Sequence, residues 1–354
     1  MATDCGNCYL VIESLLADDE RAHQSVRWRF TVRRDVCLSL LLSFAVTIAL
    51  VPTAFAQQVT RIEHVTFETN VVPNRPSKPT LLRASLYIPT TVELPISAVV
   101  ITPSSGGVRE DVEINYASNL ARSGIAALVI DSFGSRGVSH TVHDQWLVDD
   151  WQMVNDAIAG LRLLITDKRF KRDRIGIMGV SKGGIVAMNT ALTNVLKWNG
   201  ASDIQFAAHV AIVPHCGLVP RERATTGSPL LFLLAELDDQ CPPDDCLRHV
   251  DHLRDGGNSK IEVKVYKGAY HAWEVLGERP HFDKWAQNFS RCRALIDEDG
   301  SGTTADGTRI RADEWHAWAK ANCITLGAWC CGGTEAQKVR ATDDVVAFLR
   351  KHGF

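Results

Sequence analysis

The sequence lacks an excess of positive charge, because its 38 Lys and Arg residues are outnumbered by 41 Asp and Glu residues. A phosphate-binding surface depends on such an excess, so nucleic acid is not an expected partner. The sequence also lacks internal repeats and low-complexity stretches, which argues against a solenoid or a repetitive linker. With 354 residues, 45% of them hydrophobic and 22% charged, it has the composition of an ordinary globular protein.

A targeting segment is the first strong feature that is present. Arg33-Arg34 precede an apolar run over residues 36–51, and the small-x-small triplet Ala54-Phe55-Ala56 follows. The pattern predicts a signal peptide cleaved before Gln57, and hence export to the periplasm or the exterior. A retained signal anchor is the alternative, because residues 36–56 are just long enough to span a bilayer. A membrane would be a partner only in that case.

These features divide the chain into an N-terminal extension with the signal peptide, residues 1–56, and a main domain, residues 57–354. Residues 1–31 are mixed in charge and unusual for a secretory leader, so whether they are translated stays open. Between residues 281 and 333 lie four of the nine Trp residues and four cysteines. Such density predicts an ordered insertion held by disulfides.

The cysteines do not have zinc-site spacing, since neither Cys330-Cys331 nor the pair Cys241 and Cys246 forms CxxC knuckles. Three of the ten precede the predicted cleavage site and seven follow it. In an exported protein they are expected to form disulfides, with at least one cysteine left over because the number is odd. We expect Cys216 to pair with Cys246, and Cys292 with Cys323.

After Gln57, short β-branched runs alternate with longer amphipathic stretches, as in parallel strands joined by crossover helices. An antiparallel hairpin of residues 62–67 and 81–88 is expected at the sheet edge. Further strands are predicted at residues 98–102, 125–131, 174–178, 206–213, 230–235 and 261–266, and helices at residues 112–123, 146–166, 182–196, 244–255 and 335–352.

The motif Gly179-Val180-Ser181-Lys182-Gly183 fits G-x-S-x-G and lies where a predicted strand turns into a predicted helix. A serine at the apex of such a turn needs neighbours without Cβ bulk. The pattern alone is common, and a structural Gly-rich turn is the alternative. Its context favours Ser181 as a nucleophile.

Candidate partners follow Ser181 along the chain in the order acid, then base. Asp238 or Asp239 comes directly after the strand at residues 230–235, and His271 follows the strand at residues 261–266. An imidazole can take the serine proton, and a carboxylate can fix its tautomer. His215 is the rival base, but it precedes the acid and would violate the order.

A tetrahedral oxyanion needs two donors, and backbone N–H groups near a serine at such a strand-to-helix turn can supply them. One is that of the residue after the nucleophile, Lys182. The other is expected from the loop Pro103-Ser104-Ser105-Gly106-Gly107, at Ser105 or Gly106. An ordinary Gly-rich turn is the alternative for this loop.

Four ordered motifs make the sequence resemble the dienelactone hydrolase family: Gly-Val-Ser-Lys-Gly-Gly at 179–184, Asp-Ser-Phe-Gly-Ser-Arg-Gly at 131–137, Glu-Leu-Asp-Asp at 236–239 and Gly-Ala-Tyr-His-Ala-Trp at 268–273. The resemblance implies an α/β-hydrolase fold, with a mostly parallel central sheet flanked by helices and the Cys- and Trp-rich insertion before the last helix. It selects Asp238 as the acid, because the family's acid stands four residues before a Pro, here Pro242.

The sequence departs from the family's pattern at two places. The family's founding members carry Cys as nucleophile where this chain has Ser181, and relatives often have His-Gly where it has Pro103-Ser104. The resemblance therefore still implies hydrolysis of a carboxylic ester, but it does not imply a dienelactone as the substrate. If the family geometry holds, Arg136 would face the site and pair with a substrate carboxylate; holding its own loop is the alternative.

We therefore expect a serine hydrolase that cleaves a small-molecule ester or lactone through an acyl-enzyme, with no cofactor and no metal. A serine peptidase acting on short peptides is one alternative. A catalytically inactive hydrolase fold used for binding is the other, with the Trp-rich insertion as its contact surface.

Overall fold

The computed structural model of the chain describes residues 60–69, 79–275 and 279–354. The predicted signal peptide and the residues before it lie outside these ranges, so the division at residue 56 stays a prediction. In the described part of the chain, no helix combines the length and the apolar character needed to cross a membrane.

The core of the fold is an eight-stranded sheet. Its first two strands in the sequence form an antiparallel hairpin at one edge, as predicted. The second of these strands also pairs antiparallel with its other neighbour, and all remaining neighbouring strands are parallel. In spatial order the strands are Thr60–Glu68 (β1), Leu81–Pro89 (β2), Ala126–Asp131 (β4), Ile96–Thr102 (β3), Phe170–Val180 (β5), His209–Ile212 (β6), Leu230–Ala235 (β8) and Ile261–Tyr266 (β9). Every predicted strand is present.

Helices cover both faces of this sheet, which is why strands such as β3 and β8 are apolar and buried along their whole length. The sheet contributes to two hydrophobic core clusters, and alternate residues of β3 pack into different ones: Val100 into one and Val99 into the other. The helices of the described residues are Glu113–Arg122 (α1), Asp150–Thr166 (α2), Lys182–Asn189 (α3), Thr193–Trp198 (α4), Pro243–Asp255 (α5), Trp315–Asn322 (α6) and Glu335–Lys351 (α7). The α/β fold with a mostly parallel sheet is confirmed.

Two helix predictions were wrong in their bounds. The helix predicted from residue 146 begins at Asp150, because the Asp149 side chain accepts a hydrogen bond from the Gln152 N–H and the Gln152 side chain accepts from the Asp149 N–H. Trp146 lies outside the helix, and its ring stacks on His316 of the insertion at 4.3 Å.

The helix predicted over residues 182–196 is instead two helices, α3 and α4. The backbone between them bonds to a distant segment: Thr226 N–H donates to the Ala191 carbonyl at 2.8 Å, and Thr193 N–H donates to the Ala224 carbonyl at 3.1 Å. These tertiary bonds replace bonds that a continuous helix would make.

The insertion contains short strands. His281–Asn288 (β10) pairs with Thr325–Cys330 (β14), and Ala294–Ile296 (β11), Gly302–Thr303 (β12) and Arg309–Ile310 (β13) form a small sheet with Leu218–Pro220 (β7). Both expected disulfides are present, Cys216–Cys246 and Cys292–Cys323. A third joins the neighbours Cys330 and Cys331, and Cys241 is the free cysteine of the described residues.

Candidate active site

Ser181 lies at the sharp turn from β5 into α3, with a backbone φ of 53°. Few non-glycine residues adopt this conformation, and they often do so at functional sites. The glycines beside it are required by space: a Cβ on Gly179 would collide with the Gly183 backbone, and one on Gly183 would collide with the Thr102 carbonyl. The turn therefore holds the serine side chain at the carboxyl end of the sheet.

His271 and Asp238 come from loops that follow the neighbouring strands β9 and β8. The His271 Nε2 atom lies 2.8 Å from the Ser181 Oγ atom, and its Nδ1 atom lies 2.8 Å from an Asp238 carboxylate oxygen. The second Asp238 oxygen accepts from the N–H groups of Gln240 and Cys241. The fold thus brings the three predicted side chains into one hydrogen-bonded relay.

Electrostatics favour a basic imidazole in this relay. Burial of His271 opposes its charged form, but the adjacent Asp238 carboxylate outweighs that effect and holds the pKa of the imidazole well above its ordinary value. Both side chains are almost completely buried, at 5% and 4% exposure. A group in this position can accept the proton of the Ser181 hydroxyl.

The structure gives Asp239 and His215, the alternative candidates for acid and base, other contacts. An Asp239 carboxylate oxygen accepts from the Trp329 N–H at 3.0 Å, so this residue holds strand β14 of the insertion. The His215 Nε2 atom lies 3.0 Å from the Phe289 carbonyl oxygen, also in the insertion. Each rival therefore has a structural partner of its own.

The loop expected to supply an oxyanion donor lies beside the Ser181 turn, because Thr102 at the end of β3 pairs with Gly179 of β5. The buried Glu113 carboxylate holds this loop by accepting from the Ser104 N–H at 2.8 Å and from the Arg109 N–H at 2.9 Å. Burial raises the pKa of Glu113. The donor roles of the Ser105, Gly106 and Lys182 N–H groups remain predictions.

Gln145 connects the two sides of this region, a role that the sequence did not indicate. Its side-chain oxygen accepts from the Ser105 hydroxyl at 2.9 Å and lies 3.3 Å from both the Lys182 ammonium and the Thr141 hydroxyl. Its backbone carbonyl also accepts from Lys182, and its N–H donates to the Gln287 side chain. Gln145 thereby joins the loop after β3, the start of α3 and the insertion.

Arg136 was expected to face the substrate, with loop support as the alternative. Its guanidinium donates to both carboxylate oxygens of Asp156 at 2.8 Å and to the Ser132 carbonyl. The Asp156 side chain is fully buried, so the pair holds the loop after β4 against α2. These contacts fit the loop-supporting alternative, and Arg136 is not part of the function proposed below.

Two groups in the described residues place metal-ligating side chains close together. The first contains Asp238 and His271 of the relay together with Cys241. The second contains His281 with Cys330 and Cys331, whose sulfur atoms are joined in a disulfide. Burial raises the pKa of the Cys241 thiol, which favours its neutral form.

The sheet order, the turn at Ser181 and the loops after β8 and β9 together define an α/β-hydrolase. The family model for the dienelactone hydrolase family matches residues 82–294. The chain belongs to that family. The remainder of the insertion and helix α7 lie beyond the matched residues.

The chain is similar to several solved structures. The dienelactone hydrolase-like promiscuous phosphotriesterase from metagenomic libraries is 14% identical, with a TM-score of 0.50 over 82% of this chain and 98% of that chain. Thermogutta terrifontis esterase 2, phosphoramylated by tabun, is 17% identical, with a TM-score of 0.45 over 61% of this chain and 87% of that chain. No curated protein matches the sequence.

Proposed function

We propose that the protein is a serine hydrolase that cleaves carboxylic esters or lactones through an acyl-enzyme. Ser181 is the nucleophile, His271 the general base and Asp238 the residue that orients the base. The observation that carries the proposal is the unbroken relay from the Ser181 hydroxyl through His271 to Asp238, with 2.8 Å at both steps.

In the first half of the reaction, the Ser181 oxygen attacks the ester carbonyl carbon while His271 takes the hydroxyl proton. The tetrahedral oxyanion is bound by the Lys182 N–H and by a second N–H from Ser105 or Gly106. When the intermediate collapses, His271 gives its proton to the leaving alcohol oxygen. Water, deprotonated by His271, then attacks the acyl-enzyme carbonyl; when this second intermediate collapses, His271 returns the proton to the Ser181 oxygen and the acid is released.

Membership of the dienelactone hydrolase family supports an ester or lactone as the substrate class. The family's founding members use a Cys nucleophile, and a serine at the same turn forms an oxygen ester as its covalent intermediate. The reaction as proposed requires neither a metal nor a cofactor.

Export is part of the proposal. The three disulfides of the described residues support an oxidising compartment, because such bonds seldom persist in a reducing cytosol. The protein would then work in the periplasm or outside the cell, on small esters or lactones that reach it there.

A panel of p-nitrophenyl esters, measured on wild type and on Ser181→Ala, tests the activity. We expect wild type to hydrolyse at least one ester and the variant to lose roughly a thousandfold or more in kcat. Aminoacyl anilides measured in parallel test for a peptidase. Cleavage of the anilides without cleavage of any ester would contradict the proposal, as would full activity in Ser181→Ala.

A further inference from the structure

Four large apolar side chains are exposed on the hairpin formed by β10 and β14. We call Phe282, Trp285, Leu326 and Trp329 the aromatic patch; their exposed fractions are 51%, 58%, 60% and 43%. Isolated exposed apolar residues are common on protein surfaces, but a cluster of this size on one small element typically marks a binding surface.

The members of the patch form two pairs on the hairpin. Phe282 and Trp329 are opposite each other across the antiparallel pair, with ring centroids 5.9 Å apart. The Phe282 ring lies against the Cα atom of Gly327, where any Cβ would collide with it. Trp285 and Leu326 line a shallow depression together with His143. The hairpin therefore presents two exposed apolar pairs, Phe282 with Trp329 and Trp285 with Leu326.

Three contacts fix this surface to the proposed acid and base. The backbone N–H of Trp329 donates to the Asp239 side chain, in the loop that carries Asp238. The N–H of Cys331 donates to the His271 carbonyl at 2.8 Å. The ring of Tyr270, which directly precedes His271, lies 5.9 Å from the Trp329 ring. The patch is thus on the side of the relay that bears His271.

Position relative to His271 decides which part of an ester would reach the patch. The imidazole must give its proton to the leaving oxygen, so the alcohol part of the substrate lies on its side of the scissile bond. The acyl part stays on Ser181. A group extending from the alcohol oxygen toward the insertion would approach the hairpin that bears the patch.

Building on the proposed function, we propose that the aromatic patch binds the alcohol part of the substrate. The alcohol then carries an extended apolar group that contains a ring, because flat aromatic side chains pack best against other rings and alkyl chains. The hairpin thereby selects esters by their leaving group.

The test compares ethyl acetate with 4-phenylbutyl acetate, which share an acyl group and differ in the reach of a primary alcohol. Hydrolysis is followed by pH-stat titration on wild type, Trp329→Ala, Leu326→Ala and Leu81→Ala. Leu81, on β2, is the matched control, since it is 59% exposed against 60% for Leu326. The Trp329→Ala variant keeps the backbone N–H that donates to Asp239.

We expect wild type to prefer 4-phenylbutyl acetate, and Trp329→Ala and Leu326→Ala to lose about tenfold in kcat/KM on it, mainly through KM. Both variants should stay within about twofold of wild type on ethyl acetate, and Leu81→Ala should match wild type on both esters. Equal losses on both esters, or none, would overturn the role of the patch while leaving ester hydrolysis intact.

Two more results would overturn the substrate role of the patch for different reasons. If wild type hydrolyses neither of these acetates nor any p-nitrophenyl ester, the proposed function itself fails. If sedimentation shows a wild-type dimer that Trp329→Ala converts to a monomer, the patch is a contact between copies of the chain, and the substrate role is wrong.

Discussion

At Ser181 the backbone has φ 53° and ψ −113°, a positive-φ conformation that costs a non-glycine residue on the order of 1–3 kcal/mol. The neighbouring structure imposes it: the Ser181 N–H donates to the Ile212 carbonyl of β6, and the Ser181 carbonyl accepts from the Ile185 N–H in α3. Both bonds require the chain to reverse between β5 and α3. The strained turn holds the hydroxyl 2.8 Å from His271.

The pKa of His271 predicts how activity depends on pH. Because Asp238 holds this pKa well above 6.5, the neutral base forms only as the pH rises, and kcat/KM should increase through an inflection above 6.5. The raised pKa stabilises the fold below the unfolded pKa, and this contribution is lost as the pH rises through the folded value. Activity and this part of stability therefore change in opposite directions.

NMR titration of the His271 imidazole in Ser181→Ala and in Ser181→Ala/Asp238→Asn checks the cause. The first protein should titrate above 6.5. The second should titrate at a lower pH than the first, because burial then acts without the Asp238 carboxylate. If the two titrations coincide, Asp238 is not the source of the shift.

Gln145 is expected to position the oxyanion loop through its side-chain oxygen. Gln145→Ala removes the acceptor of the Ser105 hydroxyl and of the Lys182 ammonium, so kcat should fall roughly ten- to a hundredfold with little change in Tm. Gln145→Glu is the matched control, because it keeps an acceptor at this place. Recovery of most of the activity in Gln145→Glu is expected; an equal loss in both variants would contradict the positioning role.

At the residue scale, the order of residues along the chain was sufficient to choose the three members of the relay. It was not sufficient to find the residues that hold the surrounding loops in place. Ser181, Asp238 and His271 each follow a strand of a parallel sheet, and such strand ends meet at one edge. Gln145 and Glu113 bind groups on loops that come together only in the folded chain. No local pattern in the sequence indicates those partners.

Among the elements, the insertion depends most on cross-linking, since few large side chains are buried in it. The Cys292–Cys323 bond closes a loop with a sequence separation of 31, and Cys216–Cys246 closes one of 30. The two loops have nearly equal closure entropies, and each bond is expected to contribute about 3–4 kcal/mol.

The two double Cys→Ser variants should differ in where they destabilise the protein. Loss of Cys292–Cys323 should increase proteolysis and hydrogen exchange within the insertion and change the global Tm little. Loss of Cys216–Cys246, which lies in the main core, should lower the global Tm. Identical exchange patterns in the two variants would show that the insertion does not unfold separately.

Strand and helix prediction succeeded where local signals dominate. The buried strand β8 and the helix α5 begin and end within a residue of the expected bounds, because apolar runs and proline are strong local signals. The break between α3 and α4 was missed, since it is caused by bonds to residues 224–226. The hairpin of β10 and β14 likewise has no hydrophobic alternation that would predict it.

On the scale of the whole molecule, the family match and the sheet topology account for one hydrolase domain in the described residues. Export remains a prediction from the N-terminal sequence. N-terminal sequencing of the protein recovered from the medium or periplasm should give Gln57 as the first residue, because the signal ends on Ala-Phe-Ala. A membrane-bound protein with an intact residue 36–56 segment would show that the signal is retained as an anchor.

The most direct test of the central claim is covalent labelling of the nucleophile. Folded wild-type protein is treated with a fluorophosphonate, and the adduct is located by peptide mass spectrometry, with Ser181→Ala and a known serine esterase as controls. We predict a single adduct on Ser181 that is absent from Ser181→Ala. Failure of the folded wild type to react, while the control esterase is labelled, would contradict the account.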